Sequence, residues 1–195
     1  MRHVREIIHA SIDVKSAMVA DDGLLATIER VADTLTESLR GGGKALFCGN
    51  GGSAADAQHF AAELSGRFLF DRPPLPAEAL HTNTSYLTAV ANDYSYEEVY
   101  ARAVRASGRP GDVLIALSTS GNAANVVRAA EVASENGLVV VGMTGQTGGA
   151  LKTHCSYLIA VPSSVTAHIQ EAHITIAHAL SEIVEARLFG TGSAG

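Results

Sequence analysis

Apolar residues recur three and four positions apart at the start of the chain. Between His3 and Val19 the stripe is Val4, Ile7, Ile8, Ile12 and Met18, the spacing of one helix face. Leu24, Leu25, Ile28, Val31, Ala32 and Leu35 repeat the pattern and predict a second helix over Asp22 to Leu39. Asp21 or Asp22 can cap it, and Gly41 to Gly43 stop it. The rhythm then changes. Short apolar runs at Lys44–Cys48, Ala77–His81, Asp112–Ser118, Leu138–Met143 and Cys155–Val161 read as strands. Between them lie helical patterns over Ala54–Phe68, over Ser85–Ser107 with a break near Asn92, and over Ala123–Asn136. A Gly-rich turn and a short helix precede the last strand, and a long helix follows from about His168 to Arg187. Buried Val/Ile/Leu runs alternating with helices specify a parallel α/β sheet covered on both faces. The two leading helices need a surface to cover, either a partner subunit or their own domain.

Composition narrows the function classes. The chain has 195 residues, 47% hydrophobic and 17% charged, enough for one well-cored domain with an appendage. A formal charge of -6 with scattered arginines argues against nucleic acid as the main partner. The two cysteines, Cys48 and Cys155, lack paired spacing, which excludes a disulfide framework or cysteine-rich zinc module. The amino terminus is punctuated by charge and no apolar run reaches the ~20 residues of a membrane span. The expectation is a cytoplasmic protein with no membrane association.

In a sheet of this kind ligands sit beyond the carboxyl ends of the strands, so the strand-to-helix loops carry the chemistry. After the first strand comes "GNGGSAADAQHFAAEL", Gly49 to Leu64. Its glycines allow close backbone approach, and the amides of the following helix favour an anion. After the third comes "LSTSGNAAN", where Ser118, Thr119 and Ser120 offer hydroxyls at the same rim. Two such loops together point to a phosphate, although each alone is also what a tight turn with an N-cap serine would look like. A dinucleotide site fits poorly. The acid expected about 20 residues after the G-x-G-x-x-A pattern is absent, since His81, Thr82 and Asn83 stand there. The Walker lysine is absent too.

His59 and Glu63 are four apart on the first of these helices and share a face, with Asp56 one turn earlier. In the last helix Gln170 and His178 lie on roughly the same side and His173 on another. Such groups can bind a metal. They can equally form a polar helix face, and spacing alone leaves both readings open. Glu63 beside a bound sugar phosphate could take a proton from the carbon next to a carbonyl, with a His returning it.

With these residues in view, the chain resembles the sugar isomerase (SIS) family, and within it the isomerases of seven-carbon sugar phosphates. The stretches that carry the likeness are "CGNGGSAADAQHFAAEL", "DRPPLPAEAL", "LTAVANDY", "GDVLIALSTSGN", "MTGQTGG" and "IQEAH". The resemblance implies a flavodoxin-like five-stranded sheet and a homotetramer with sites between subunits. It divides the chain into N-terminal helices over 1–41 that pack in the oligomer, an SIS domain over 42–190 and a flexible tail over 191–195. It implies conversion of sedoheptulose 7-phosphate to D-glycero-D-manno-heptose 7-phosphate through a cis-enediol. One zinc ion per subunit would fall on His59, Glu63, Gln170 and His178, with Glu63 as base and His178 as acid. Asn50, Gly51, Gly52, Ser53, Asn92, Asp93, Ser118, Thr119, Ser120 and Gln170 would match substrate-contacting positions.

Three positions depart from the family pattern. Ala123 replaces a phosphate-binding Ser, and Val165 and His168 replace an Asp and an Arg. Losing the acid and the base together suggests an ion pair exchanged for neutral packing. Two rival readings follow: an isomerase of another sugar phosphate in secondary metabolism, and a non-catalytic adaptor of the bacterial replication initiator. The retained Glu63 and His178 speak against the adaptor.

Overall fold

The computed structural model describes residues 3–190. The expected tail at 191–195 lies outside the described residues. The elements are α1 (Val4–Val19), α2 (Asp22–Arg40), β1 (Ala45–Cys48), α3 (Gly52–Ser65), β2 (Ala77–Ala79), α4 (Thr84–Asp93) and α5 (Glu98–Ser107). Then come β3 (Val113–Leu117), α6 (Ala124–Glu135), β4 (Val139–Gly145), a 3₁₀ turn (Ala150–His154), β5 (Tyr157–Val161) and α7 (Thr166–Phe189). All neighbouring strands pair in parallel, in the order β2-β1-β3-β4-β5. This is the doubly wound flavodoxin-like order, whose switch point lies between β1 and β3.

Alternate residues of each strand enter two cores. Phe47, Ile115, Met143 and Ile159 face α2, α3 and α7, while Leu46, Leu114 and Val140 face α5 and α6. β1 and β3 are buried along their whole length, as strands covered on both faces must be. No helix among the described residues is long and apolar enough to cross a membrane.

The two leading helices differ. The Asp21 carboxylate caps α2 by accepting from the Leu24 N–H at 2.9 Å. Leu24, Ile28, Val31, Leu35 and Leu39 of α2 are buried in the chain's own core. α1 buries only Met18, and Val4, Ile7, Ile8 and Ile12 remain exposed. Thus α2 buries its stripe within the subunit apart from Leu25, and α1 carries the larger unpartnered apolar face.

Both ends of α3 depart from the sequence pattern. α3 starts at Gly52, two residues before the expected Ala54, because Gly51 turns the chain with φ +56 as the N-cap. The helix stops at Ser65, three residues before Phe68, although Phe68 continues the apolar spacing. Phe68 instead stacks on a site histidine, as described below.

Candidate active site

The loops leaving β1 and β3 flank the switch point and form one cleft of about 340 Å³. Asn50, Gly51, Gly52 and Ser53 line one side, and Ser118, Thr119, Ser120 and Ala123 the other. Thr166 and Gln170, from the first turns of α7, close it. The amino ends of α3, α6 and α7 therefore converge on a cleft lined by hydroxyls and amides. Helix N-termini carry partial positive charge and unpaired N–H groups, so an anion is favoured here without a lysine.

Close packing shapes this cleft. A Cβ at Gly52 would fall 2.7 Å from both polar atoms of the Gln170 amide, so a larger residue there would push that side chain aside. The Asn50 amide is held in a reciprocal pair: it donates to Asn125 Oδ1 at 2.8 Å and accepts from Asn125 Nδ2 at 2.9 Å. The Tyr96 hydroxyl also donates to Asn50 Oδ1 at 3.1 Å, and that of Tyr100 donates to the Gly49 carbonyl. Sequence reasoning missed Asn125, Tyr96 and Tyr100. Their partners lie tens of positions away in the chain, and no local spacing announces them.

Asn92 and Asp93 do not line the cleft. They end α4, where the Asn92 amide donates to the Asp93 carboxylate at 2.9 Å.

Two turns further along α3, about 10 Å from Gly52 at 1.5 Å per residue, the structure gathers a second set. One ligand-type atom from each of His59, Glu63 and His178 lies within 4.8 Å of the others. His59 Nε2 is 2.8 Å from Glu63 Oε1 and 3.4 Å from His178 Nε2. Two imidazoles bound tetrahedrally at about 2.0–2.1 Å from one zinc ion would place their nitrogens about 3.3 Å apart. The chemistry and spacing of the three donors thus fit a small divalent cation. Gln170 lies eight residues before His178 on the same helix, against Gly52. The Phe68 ring stacks on His178, with centroids 5.7 Å apart and planes at 28°. Near this cluster, burial pushes the Asp56 carboxyl above its usual range, partly offset by His59.

The three departures have visible settings. Ala123 is the N-cap of α6 and supplies no side-chain cap. Val165 is the N-cap of α7, also without a side-chain cap, and is half exposed. His168 is buried, with Nδ1 3.7 Å from the Glu171 carboxylate, which also accepts from Ser11 of α1. Val165 is thus half exposed, and the buried His168 lies beside the Glu171 carboxylate.

Residues 10–145 match the family model described as SIS domain. The chain belongs to the SIS-domain family. It is 55% identical over 188 residues to a phosphoheptose isomerase of Mycobacterium tuberculosis, covering 96% of each chain. It is 49% identical over 187 residues to the phosphoheptose isomerase of Aneurinibacillus thermoaerophilus, covering 96% of this chain and 94% of that one. Its fold superimposes on the phosphoheptose isomerase structure from Neisseria gonorrhoeae with a TM-score of 0.88 at 42% identity, over 94% and 97% of the two chains. The corresponding Francisella tularensis structure gives a TM-score of 0.88 at 36% identity, over 93% and 95%.

Proposed function

We propose that this SIS-domain protein is a phosphoheptose isomerase that interconverts sedoheptulose 7-phosphate and D-glycero-D-manno-heptose 7-phosphate. The observation that carries the reading is the convergence of His59, Glu63 and His178 two helical turns from an anion-favouring cleft. That separation suits an extended seven-carbon sugar with its phosphate in the cleft and its carbonyl end at the cluster. Relatives and solved structures carrying the phosphoheptose isomerase name support the same reading.

The phosphate rests against Ser53, Ser118, Thr119 and Ser120, with Asn50, Gly51 and Gly52 shaping the wall beside it. Glu63 takes the proton from the carbon beside the carbonyl. His178 protonates the carbonyl oxygen, which gives the cis-enediol; Glu63 then returns its proton to the neighbouring carbon as His178 takes the proton of the adjacent hydroxyl. Each positioned acid or base contributes ~10²–10⁴-fold. His59, Glu63 and His178 would hold one zinc ion, which would polarise the carbonyl and keep adjacent oxygens cis; Gln170, packed against Gly52 in this chain, would join them only across a subunit boundary. Asn92 and Asp93 reach substrate only across a subunit boundary in this reading.

The enzyme is proposed to be cytoplasmic and homotetrameric. The exposed stripe Val4, Ile7, Ile8 and Ile12 of α1 supports burial against other copies. In this reading α1 serves assembly, while α2, buried in the subunit's own core, belongs with residues 42–190 to the catalytic domain. Sedimentation analysis reads the assembly directly, and a monomer at micromolar concentration rejects it.

The deciding experiment incubates zinc-loaded protein with a panel of ketose phosphates and follows aldose formation by NMR. Conversion of sedoheptulose 7-phosphate at the highest kcat/KM is expected. Preference for another ketose phosphate overturns the substrate, and inertness towards all of them overturns the enzyme.

A further inference from the structure

Buried beneath the His59, Glu63 and His178 cluster is an ion pair that the reaction does not itself use. Arg72 lies between α3 and β2, and Glu185 lies on α7, seven residues or two turns beyond His178. Both side chains are 1% exposed. Arg72 Nε donates to Glu185 Oε1 at 2.9 Å.

Apart from a bond to the Pro73 carbonyl at 3.1 Å, the remaining donors of the guanidinium meet the end of α3. Nη2 donates to the Glu63 carbonyl at 2.8 Å, and Nη1 to the carbonyls of Leu64 at 2.7 Å and Gly66 at 3.0 Å. Carbonyls in the last turn of a helix have no helical partner, and a cation there also meets the negative end of the helix dipole. The residue whose carboxylate acts as base is therefore anchored through its own main chain.

The Glu185 carboxylate holds the loop that follows. It accepts the Phe68 N–H at 2.9 Å and the Leu69 N–H at 2.8 Å. Burial pushes its carboxyl up, but the two N–H donors and Arg72 outweigh that and keep it below the usual carboxylate range. Phe68, fixed in this way, lays its ring on His178.

A buried ion pair is weak evidence for stability, because desolvation can exceed the attraction. What this pair fixes is relative position. One guanidinium and one carboxylate tie together the end of α3, the Phe68 loop and α7. We propose that Arg72 and Glu185 are positioning residues for proton transfer, acting through the Glu63 main chain and through the Phe68 ring on His178. The inference rests on the isomerase reading for its kinetic consequence, but its structural core concerns only how the cluster is held.

The test separates positioning from stability. In the double variant Arg72→Met with Glu185→Leu, no buried charge is left unpaired. We expect this protein to fold with a lowered thermal midpoint, because the main-chain groups of Glu63, Leu64, Gly66, Phe68 and Leu69 lose their partners, so kinetics are read well below that midpoint. Its kcat should fall ~10²-fold with KM changed far less, in line with a misplaced catalytic geometry. Zinc affinity, read by chelator competition without any substrate, should weaken ~10-fold, as for lost outer-shell support. The single variant Phe68→Leu leaves the pair intact and removes only the ring. It should lower kcat ~10-fold, a modest part of what misplacement can cost, and move the His178 ring-proton NMR signals. If the double variant does not fold, Phe68→Leu decides alone. Parental kcat and zinc affinity in a folded double variant overturn the proposal, as do parental kcat and His178 signals in Phe68→Leu. Because zinc affinity and NMR shifts need no turnover, failure of the isomerase reading stays distinguishable from failure of this one.

Discussion

At the amino ends of α3 and α7 the site is made largely of main chain. Glycines admit the ligand, helix termini supply partial charge, Gln170 packs against Gly52, and Asn125 and Tyr96 hold the Asn50 amide. Two turns along the same helices it is made of side chains, His59, Glu63 and His178, braced by a buried Arg72 and Glu185. The first half tolerates loss of a hydroxyl, because several donors share one charge. The second has one group for each role, so each loss is felt in full. This difference orders the expected effects.

The sharpest break is Glu63→Gln, which keeps shape and removes the proposed base. Turnover should fall ~10³-fold, within the range of a positioned acid–base group, with an unchanged circular dichroism spectrum. Turnover near the parent's would remove Glu63 from its role. Stripping metal with a strong chelator should come next. We expect ~10²-fold loss, recovered by added zinc and accompanied by release of one ion per subunit, since an ion holding the carbonyl contributes several kcal/mol. Activity untouched by a metal-free preparation would leave the cluster as an acid–base group alone.

His173 lies on α7 between the two halves and probes the helix itself. It is fully buried, with Nε2 3.2 Å from the Thr144 carbonyl, and burial pushes its pKa down to about 4. An unfolded histidine titrates near 6.5, so the native state binds this proton less readily. The stability from a neutral His173 is complete above about pH 6.5 and is lost as pH falls towards 4, a change of about 3 kcal/mol. Urea unfolding of parent and His173→Gln should show a gap that narrows over that window. A gap constant with pH would show that the imidazole does not couple to folding.

The glycine half should respond more gently. In Gly52→Ala the new Cβ meets the Gln170 amide at 2.7 Å. That amide sits on a movable side chain, so we expect about a tenfold loss in kcat/KM, short of the ~10²-fold cost of a 1 Å misplacement. An unchanged value would mean that Gln170 is free to leave its place. Smallest is Ala123→Ser, which restores a hydroxyl at the N-cap of α6. KM should fall about twofold, a fraction of one net hydrogen bond. A KM that stays or rises would place the phosphate elsewhere in the cleft.

The same contrast explains what could be read from the sequence. Main-chain sites announce themselves locally: "GNGGS" after an apolar run and "STSG" after another lie where loops must face a ligand. The His59 and Glu63 pair is legible because helical periodicity puts it on one face. The bracing is not. Arg72 and Glu185 are 113 positions apart, and Asn50 and Asn125 are 75 apart. Only the folded sheet brings such pairs together. Phe68 misled the reading of α3 for the same reason. Its apolar spacing continued the helix, but its partner was an imidazole on α7. Helices α1 and α2 looked alike in pattern, and only packing separated the one the subunit buries from the one it leaves open.

Gly121, in the hydroxyl loop, and Gly149, in the turn after β4, lie back to back. A Cβ on Gly121 would sit 2.1 Å from the Gly148 carbonyl oxygen, and one on Gly149 2.6 Å from the Gly121 and Ser120 carbonyls. Both have positive φ, and neither has room for a side chain. The contour of the Ser118–Ser120 hydroxyls is therefore moulded from behind by the turn that carries Gly148 and Gly149. Anyone retailoring this protein for a new substrate would have to transplant both turns together, because a graft of the front one alone would arrive without the surface it was cast against.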